Sequence, residues 1–477
     1  VNIPEVSTRP RVAIAGTSSF VGAAVCRALT PHFDVVALTR SVARAMAVGD
    51  EEVEVRPCDH FSRLELESAL WGVDYAIYLV HNRDPSARLD QAQSRDMDLL
   101  VADNFAWAAA RAGVKQIICR EPLVAAPHRR SARNALELEE VLRSHGVPLT
   151  VLRTGLVLGP GGELSKLLAS MVQRLPVIPL PRLANSLLRP VHLEGFLSAV
   201  KDCVGNPEAF GKSFDVYGSE PVTLRWMLEE TATLLGCRAR FLSWPGMPKG
   251  LFWVMLKLLR PSLHPDFLTY ILDMVAADTP GQDNPVERQV IQSWRPLRES
   301  LVASVQAAQA SSAAPTPQRA MDDEVIRQLH RVRSIQRLRL PENRNAEWVA
   351  DHYFRWLGTL MRPFIRTERD SDGSWTVRQR PGGLNMLQLT FKPTHSSPDR
   401  RMYFITGGAL ARLLGGRTAR LEFRDLLGGQ YSMFAIHDFN PSLPWVFYRF
   451  TQAVIHGLVM KGFQGHMEQL AEGGPTL

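Results

Sequence analysis

The stretch RVAIAGTSSFVGAAVCRAL, Arg11–Leu29, decides how the first part of the chain folds. Arg11–Ala15 is a short apolar run with the character of a strand buried on both faces. Gly16 closes it. From Val21 to Leu29 the residues read as a helix packed against that strand. Gly16 ends the strand and Gly22 opens the helix, so the backbone can turn tightly and the helix can lie close to the sheet. The first amides of such a helix have no intrahelical acceptor and point at whatever anion sits before them.

The same alternation continues outward. Val35–Leu38, Tyr75–Val80, Gln116–Cys119 and Leu149–Leu152 read as short buried strands. Leu64–Leu70, Leu99–Ala112 and Ala135–His145 read as the helices between them. Strands alternating with amphipathic helices specify an α/β domain with a doubly wound parallel sheet of the Rossmann type. Three further features fall in the order such a sheet needs. Arg40, in VVALTRS, follows the second strand, where a guanidinium can hold an adenosine 2′-phosphate; the plainer reading is a solvated surface arginine. Asp59, in VEVRPCDH, follows the third strand and suits an acceptor for the adenine amino group. His81 ends the fourth strand, YAIYLVH, beside the expected nicotinamide ribose. The expected cofactor set is therefore Gly16, Thr17, Ser18, Ser19, Phe20, Val21, Gly22, Arg40, Asp59 and His81. NADP(H) is the expected cofactor, with NAD as the alternative.

This constellation resembles the atypical short-chain dehydrogenases, the NmrA-like and YbjT-like group. LRTGLVLGPG, Leu152–Gly161, is similar to that group's LRxGxVxGxG, and QRLPVIPLPRLANSLLRPVHLEGFLSAV to its later LPV…RPIxLEDV stretch. The resemblance covers Arg11 to Trp294. It departs from the group's pattern at two places. The usual loop is GxxGxxG, whereas here Ser19 replaces the middle glycine, adding a side chain that could crowd a pyrophosphate or donate to it. The superfamily's reductases also use a Tyr-x-x-x-Lys dyad and a Ser. Glu121 holds the Ser position after the fifth strand, in KQIICREPLV. One register puts Ser131 and Ala135 at the dyad; the other puts His128 and Ala132 there. The nearest tyrosines, Tyr75 and Tyr78, lie on the fourth strand. Two expectations follow: a cofactor-linked binding or regulatory domain without this chemistry, or a reductase of a hydrophobic substrate in which His81, Glu121 or His128 replaces the acid. Each of those three residues has a plainer structural or solvated role.

After a low-complexity stretch, AAQASSAAPTPQRA, the pattern changes. The expected boundaries are a Rossmann domain over 1–305, a linker over 306–330 and a second domain over 331–477. Ser334–Leu340, Trp375–Arg380, Met386–Lys392, Arg401–Thr406, Arg417–Phe423 and Tyr431–Asp438 read as strands, and Pro444–Leu470 as one long helix. A curved antiparallel sheet roofed by one helix resembles the α+β helix-grip, START-like (SRPBCC) fold, including the DUF2867 regions joined to YbjT-like domains. The resemblance implies a pocket for an apolar small molecule or lipid between sheet and helix; the plainer reading is a solid core. Alternation expects most of Arg420, Glu422, Arg424, Asp425, His437 and Asp438 to face solvent.

Composition bounds the remaining classes. The formal net charge is +7 with no Lys/Arg run resembling a nucleic-acid arm, so no nucleic-acid partner is expected. Cys26, Cys58, Cys119, Cys203 and Cys237 are scattered, without CxxC spacing, which argues against a zinc site and for a reducing compartment. The longest apolar stretch, Gly250–Leu259, is too short to span a bilayer. The chain also lacks the pattern of a signal peptide, and the cytoplasm is the expected location. The Arg-rich surface and the apolar Leu251–Leu259 segment permit membrane association without requiring it.

Overall fold

Apolar runs such as VAIA in Arg11–Ala15 and VVAL in Asp34–Thr39 form strands covered on both sheet faces, and these lie in a wholly parallel sheet. Its strands are β1 (Arg11–Ala15), β2 (Asp34–Thr39), β3 (Glu54–Pro57), β4 (Tyr75–Tyr78), β6 (Gln116–Pro122), β7 (Leu149–Thr154), β8 (Ser213–Gly218) and β9 (Gln289–Ser293), β5 belonging to another sheet. Their spatial order is β9-β8-β7-β6-β4-β1-β2-β3, so the order of succession reverses between β1 and β4 while the strands stay parallel. Helices α1 (Phe20–Leu29), α2 (Arg63–Ala69), α3 (Ser94–Ala112) and α4 (Arg130–Arg143) connect successive strands. The computed structural model describes residues 9–40, 52–81, 87–123, 130–218, 220–261, 263–276, 289–293, 297–310, 331–412 and 419–473.

The chain divides into two compact units. The first comprises Val1–Arg83 with Val101–Thr316, and the second Asp84–Leu100 with Pro317–Leu477. In the first unit a second core gathers residues after β7. Leu164, Leu168, Met227, Phe252, Leu268 and Leu301 are buried in it. The residues Gln306–Ala310, expected to open the linker, instead finish a helix, Leu297–Ala310, as their run of Ala and Gln permits. The rest of the expected linker lies outside the described residues.

The second unit holds a mixed eight-stranded sheet. β10 (Val332–Arg339) precedes a helix, α5 (Ala346–Leu360). A meander follows: β11 (Ile365–Arg369), β12 (Trp375–Gln379), β13 (Asn385–Phe391), β14 (Arg400–Gly407), β15 (Arg420–Leu426) and β16 (Tyr431–Phe439). The order is β11-β12-β13-β14-β15-β16-β10-β5, where β5 is Leu89–Ala92, taken from a segment expected to belong to the Rossmann domain. Only the β10–β5 pair is parallel, Val332 to Ile335 lying opposite Leu89 to Ala92.

The expected single C-terminal helix is two, α6 (Trp445–Phe450) and α7 (Gln452–Ala471). The break falls at Thr451, whose φ of -122° and ψ of -81° depart from helical values while its amide and hydroxyl both donate to the Phe447 carbonyl. Between sheet and helices the expected pocket region is packed with rings. Tyr353 lies 5.0 Å from both Phe434 and Phe463, and Phe354 stacks on Trp375 at 4.8 Å. A cleft of about 330 Å³ opens nearby, lined by Pro341, Arg344, Trp348 and Leu470 among others.

The opposite sheet face corrects an expectation. Glu422, Arg424, His437 and Asp438 are buried rather than solvent-facing. They are tolerated because they meet one another: Arg400 and Arg424 both pair with Glu422, and Arg420 with Asp438. Burial alone would raise the Glu422 pKa, but the two guanidinium groups outweigh it and hold the carboxyl well below its ordinary range.

Candidate cofactor site

The first unit's candidate residues line the carboxyl edge of its sheet, where open α/β sheets bind ligands. At the end of β1, Gly16 has φ +93°, a conformation that disfavours any side chain. A Cβ there would also stand 2.5 Å from the Leu79 carbonyl oxygen at the end of β4. Gly22 is equally required, since its Cβ would lie 2.2 Å from the Gly16 carbonyl oxygen. The loop and the first turn of α1 therefore sit against backbone on both sides.

Ser19 is the N-cap of α1. Its hydroxyl accepts from the Gly22 amide at 3.0 Å and donates to the Gly16 carbonyl at 2.9 Å. In this structure the side chain bonds within the loop on both counts, as donor and as acceptor. The cap leaves the Phe20 and Val21 amides without a hydrogen-bond partner among the described residues. Thr17 is buried, and its Oγ1 has none either. Ser18 is exposed. A cradle of close-approaching backbone with open amides fits a pyrophosphate.

The Leu152–Gly161 motif has its own steric logic. A Cβ on Gly155 would fall 2.2 Å from the Arg189 carbonyl oxygen, so the glycine admits the Arg189–Pro190 backbone. A Cβ on Gly159 would come 2.9 Å from the Phe20 ring, so this later loop lies against the first turn of α1.

Arg40 directly follows β2 and is exposed. The Cys58 amide donates to the Thr39 carbonyl, which brings the ends of β2 and β3 side by side. Arg40 is close enough to act on His60: burial, then the Arg40 charge, pushes that imidazole down to about 4. Asp59 is buried, and its carboxylate accepts from the Phe61 amide at 3.1 Å, closing the turn into α2. His60 was not singled out by the sequence. Its Nε2 is buried without a hydrogen-bond partner among the described residues.

His81 is exposed beyond the end of β4. Glu121 is buried near the end of β6. Ser131 and Ala135 lie on the first turns of α4, half-buried and buried respectively. His128 lies outside the described residues. Tyr78 packs its ring 5.1 Å from Phe105, as a core residue does.

Comparison with known proteins agrees with this edge. Residues 16–158 match a family described as NAD(P)H-binding. The first unit thus carries an NAD(P)H-binding domain. The auxiliary protein GraX of Staphylococcus aureus is 27% identical over 110 residues, which are 23% of this chain and 36% of that protein. The match therefore spans about a third of that relative's length. Among solved structures, the triphenylmethane reductase of a Citrobacter species complexed with NADP(H) aligns with a TM-score of 0.48 at 19% identity. It covers 62% of this chain and 99% of that one. A nucleoside-diphosphate-sugar epimerase from Staphylococcus aureus aligns at 0.49 and 16% identity, covering 61% and 99%. At these scores the likeness says nothing of substrate or reaction.

Proposed function

We propose that the first unit is an atypical short-chain dehydrogenase-like domain that binds NADP(H) for a binding or regulatory purpose, without the superfamily's dyad chemistry. The observation that carries this is the stretch after β6: from Pro122 to Arg143 the chain contains neither Tyr nor Lys. A bound nicotinamide would supply hydride. The protein would have to supply an acid close to the substrate oxygen, with a pKa tuned by a neighbouring cation. Ser131 is too weak an acid, and Ala135 has no charge. Arg40 supports a preference for the 2′-phosphate, since it is exposed and follows β2.

The second unit we read as a helix-grip fold. One strand and a helix, then a six-stranded meander and two terminal helices, support that reading. Its ring-filled layer favours an interaction module over a lipid-sized pocket. The rival reading, an NADPH-dependent reductase, is favoured by one feature, the buried Glu121 carboxyl near the end of β6. The two separate in one experiment. NADPH binding measured by calorimetry, with no oxidation across a panel of aldehydes, ketones and quinones, supports the first. Turnover abolished by Glu121→Gln supports the second.

A further inference from the structure

An eleven-residue helix, Lys249–Leu259, is apolar around most of its circumference. Phe252, Leu256 and Leu259 are buried against the first unit's second core. The other face is bare: Leu251 and Val254 are each 45% exposed and Leu258 is 74% exposed, at the i, i+3 and i+7 positions of one stripe. The connection leading into the helix exposes Leu242 and Trp244 as well, at 55% and 47%.

The charge of this region is one-sided. From Thr231 to Pro265 the sequence holds five cations, Arg238, Arg240, Lys249, Lys257 and Arg260, and no Asp or Glu. Arg260 is met by Glu163 at 3.2 Å, and the Lys257 ammonium donates to the Pro261 and Leu263 carbonyls. Arg238, Arg240 and Lys249 are exposed.

We propose that this face docks on the surface of an anionic lipid bilayer. Exposed leucines and a tryptophan beside lysine and arginine, with no acid in the Thr231–Pro265 stretch and Glu163 already paired with Arg260, form the combination that lies in a headgroup interface. Apolar side chains enter the acyl boundary while the cations meet lipid phosphates. The helix lies on the membrane rather than across it, and among the described residues no helix is long and apolar enough to cross one.

The test is co-sedimentation of the full chain with vesicles of phosphatidylcholine alone and of equal parts phosphatidylcholine and phosphatidylglycerol. The protein is expected to partition onto the anionic vesicles, less so as salt rises. The exposed triple variant Leu251→Ser, Val254→Ser, Leu258→Ser should reduce partitioning tenfold or more. The double variant Arg240→Ala, Lys249→Ala should reduce it by roughly tenfold or more, at about fivefold per cation. Trp71→Ser, an exposed aromatic outside this region, should change nothing. Circular dichroism and NADPH binding establish that each variant is folded. No binding, equal binding to both vesicle types, or a triple variant that binds as the parent does would overturn the proposal. So would a self-association of the parent chain that the triple variant abolishes while vesicle binding persists, because the face would then belong to a second copy.

Discussion

Replacing Gly22 by alanine tests the cradle at its tightest point. The added Cβ would stand 2.2 Å from the Gly16 carbonyl oxygen and 2.9 Å from its carbon. A relaxed carbon–oxygen contact is about 3.3 Å, so the two must separate by roughly 1 Å. The contacted atoms belong to the loop backbone and the new Cβ is fixed directly to the first turn of α1, so neither can swing away as the end of a side chain could. Overpacking of this kind costs about 1–3 kcal/mol. The displaced turn carries the open Phe20 and Val21 amides. Losing one charge-assisted hydrogen bond from them costs about 1.5–3 kcal/mol, or roughly tenfold to a hundredfold in affinity. Calorimetric titration with NADPH and a thermal melt check both figures. Gly22→Ala should bind at least tenfold more weakly and melt several degrees lower. Gly457→Ala, whose Cβ would meet nothing within 4 Å, should do neither. A Gly22→Ala protein that melts and binds as the parent does would refute the close approach of loop and helix.

Other expectations follow from the same geometry. Arg40→Ala should weaken NADPH roughly tenfold or more, at 1.5–3 kcal/mol for a charged hydrogen bond, and leave NADH nearly unchanged in fluorescence titrations. Equal losses would remove Arg40 from the site. His60 is held neutral by burial with a pKa of about 4, against 6.5 when free. As pH falls through that window the unfolded chain takes up a proton that the folded one refuses. Folding stability should therefore drop by up to about 1.4 kcal/mol per pH unit, and His60→Phe should flatten that slope in denaturant titrations. An unchanged slope would mean that His60 is protonated in the fold. Glu422→Ala should destabilise the second unit by about 3–5 kcal/mol, because it strips the buried Arg424 and the half-buried Arg400 of a shared partner. Urea unfolding reads the loss, and a change under 1 kcal/mol would show the network to be dispensable.

The first unit's central strands were legible because buried parallel strands read as near-continuous apolar runs, and VAIA, VVAL and IIC are such runs. The glycine loop was legible because only glycine tolerates the approaches at Gly16 and Gly22. The capping role of Ser19 went unread because attention fell on the glycine pattern, although serine before a helix is an ordinary N-cap. Asp59 was read for its acceptor chemistry, whereas locally its carboxylate closes a turn. In the second unit the helix Ala346–Leu360 went unread, yet its signals were present. Asn345 caps it, and Ala346, Val349, Ala350, Tyr353 and Phe354 follow helical spacing into the core. The strand Leu89–Ala92 had no local signal at all. LDQA has neither alternation nor β-branched residues, and its pairing with β10 depends on a partner more than two hundred residues away in sequence. The buried charges of β15 and β16 escaped for a related reason. Alternation tells which residues share a face, but not whether that face is covered.

The most direct measurement loads the full chain with a stoichiometric amount of NADPH and follows the absorbance of the reduced nicotinamide after adding the carbonyl and quinone panel. A chain that holds the cofactor at Gly16–Gly22 but offers no tuned acid should leave the absorbance unchanged while calorimetry shows saturable binding. Rapid loss of the reduced nicotinamide with any member of the panel would contradict the proposal of a binding domain without turnover.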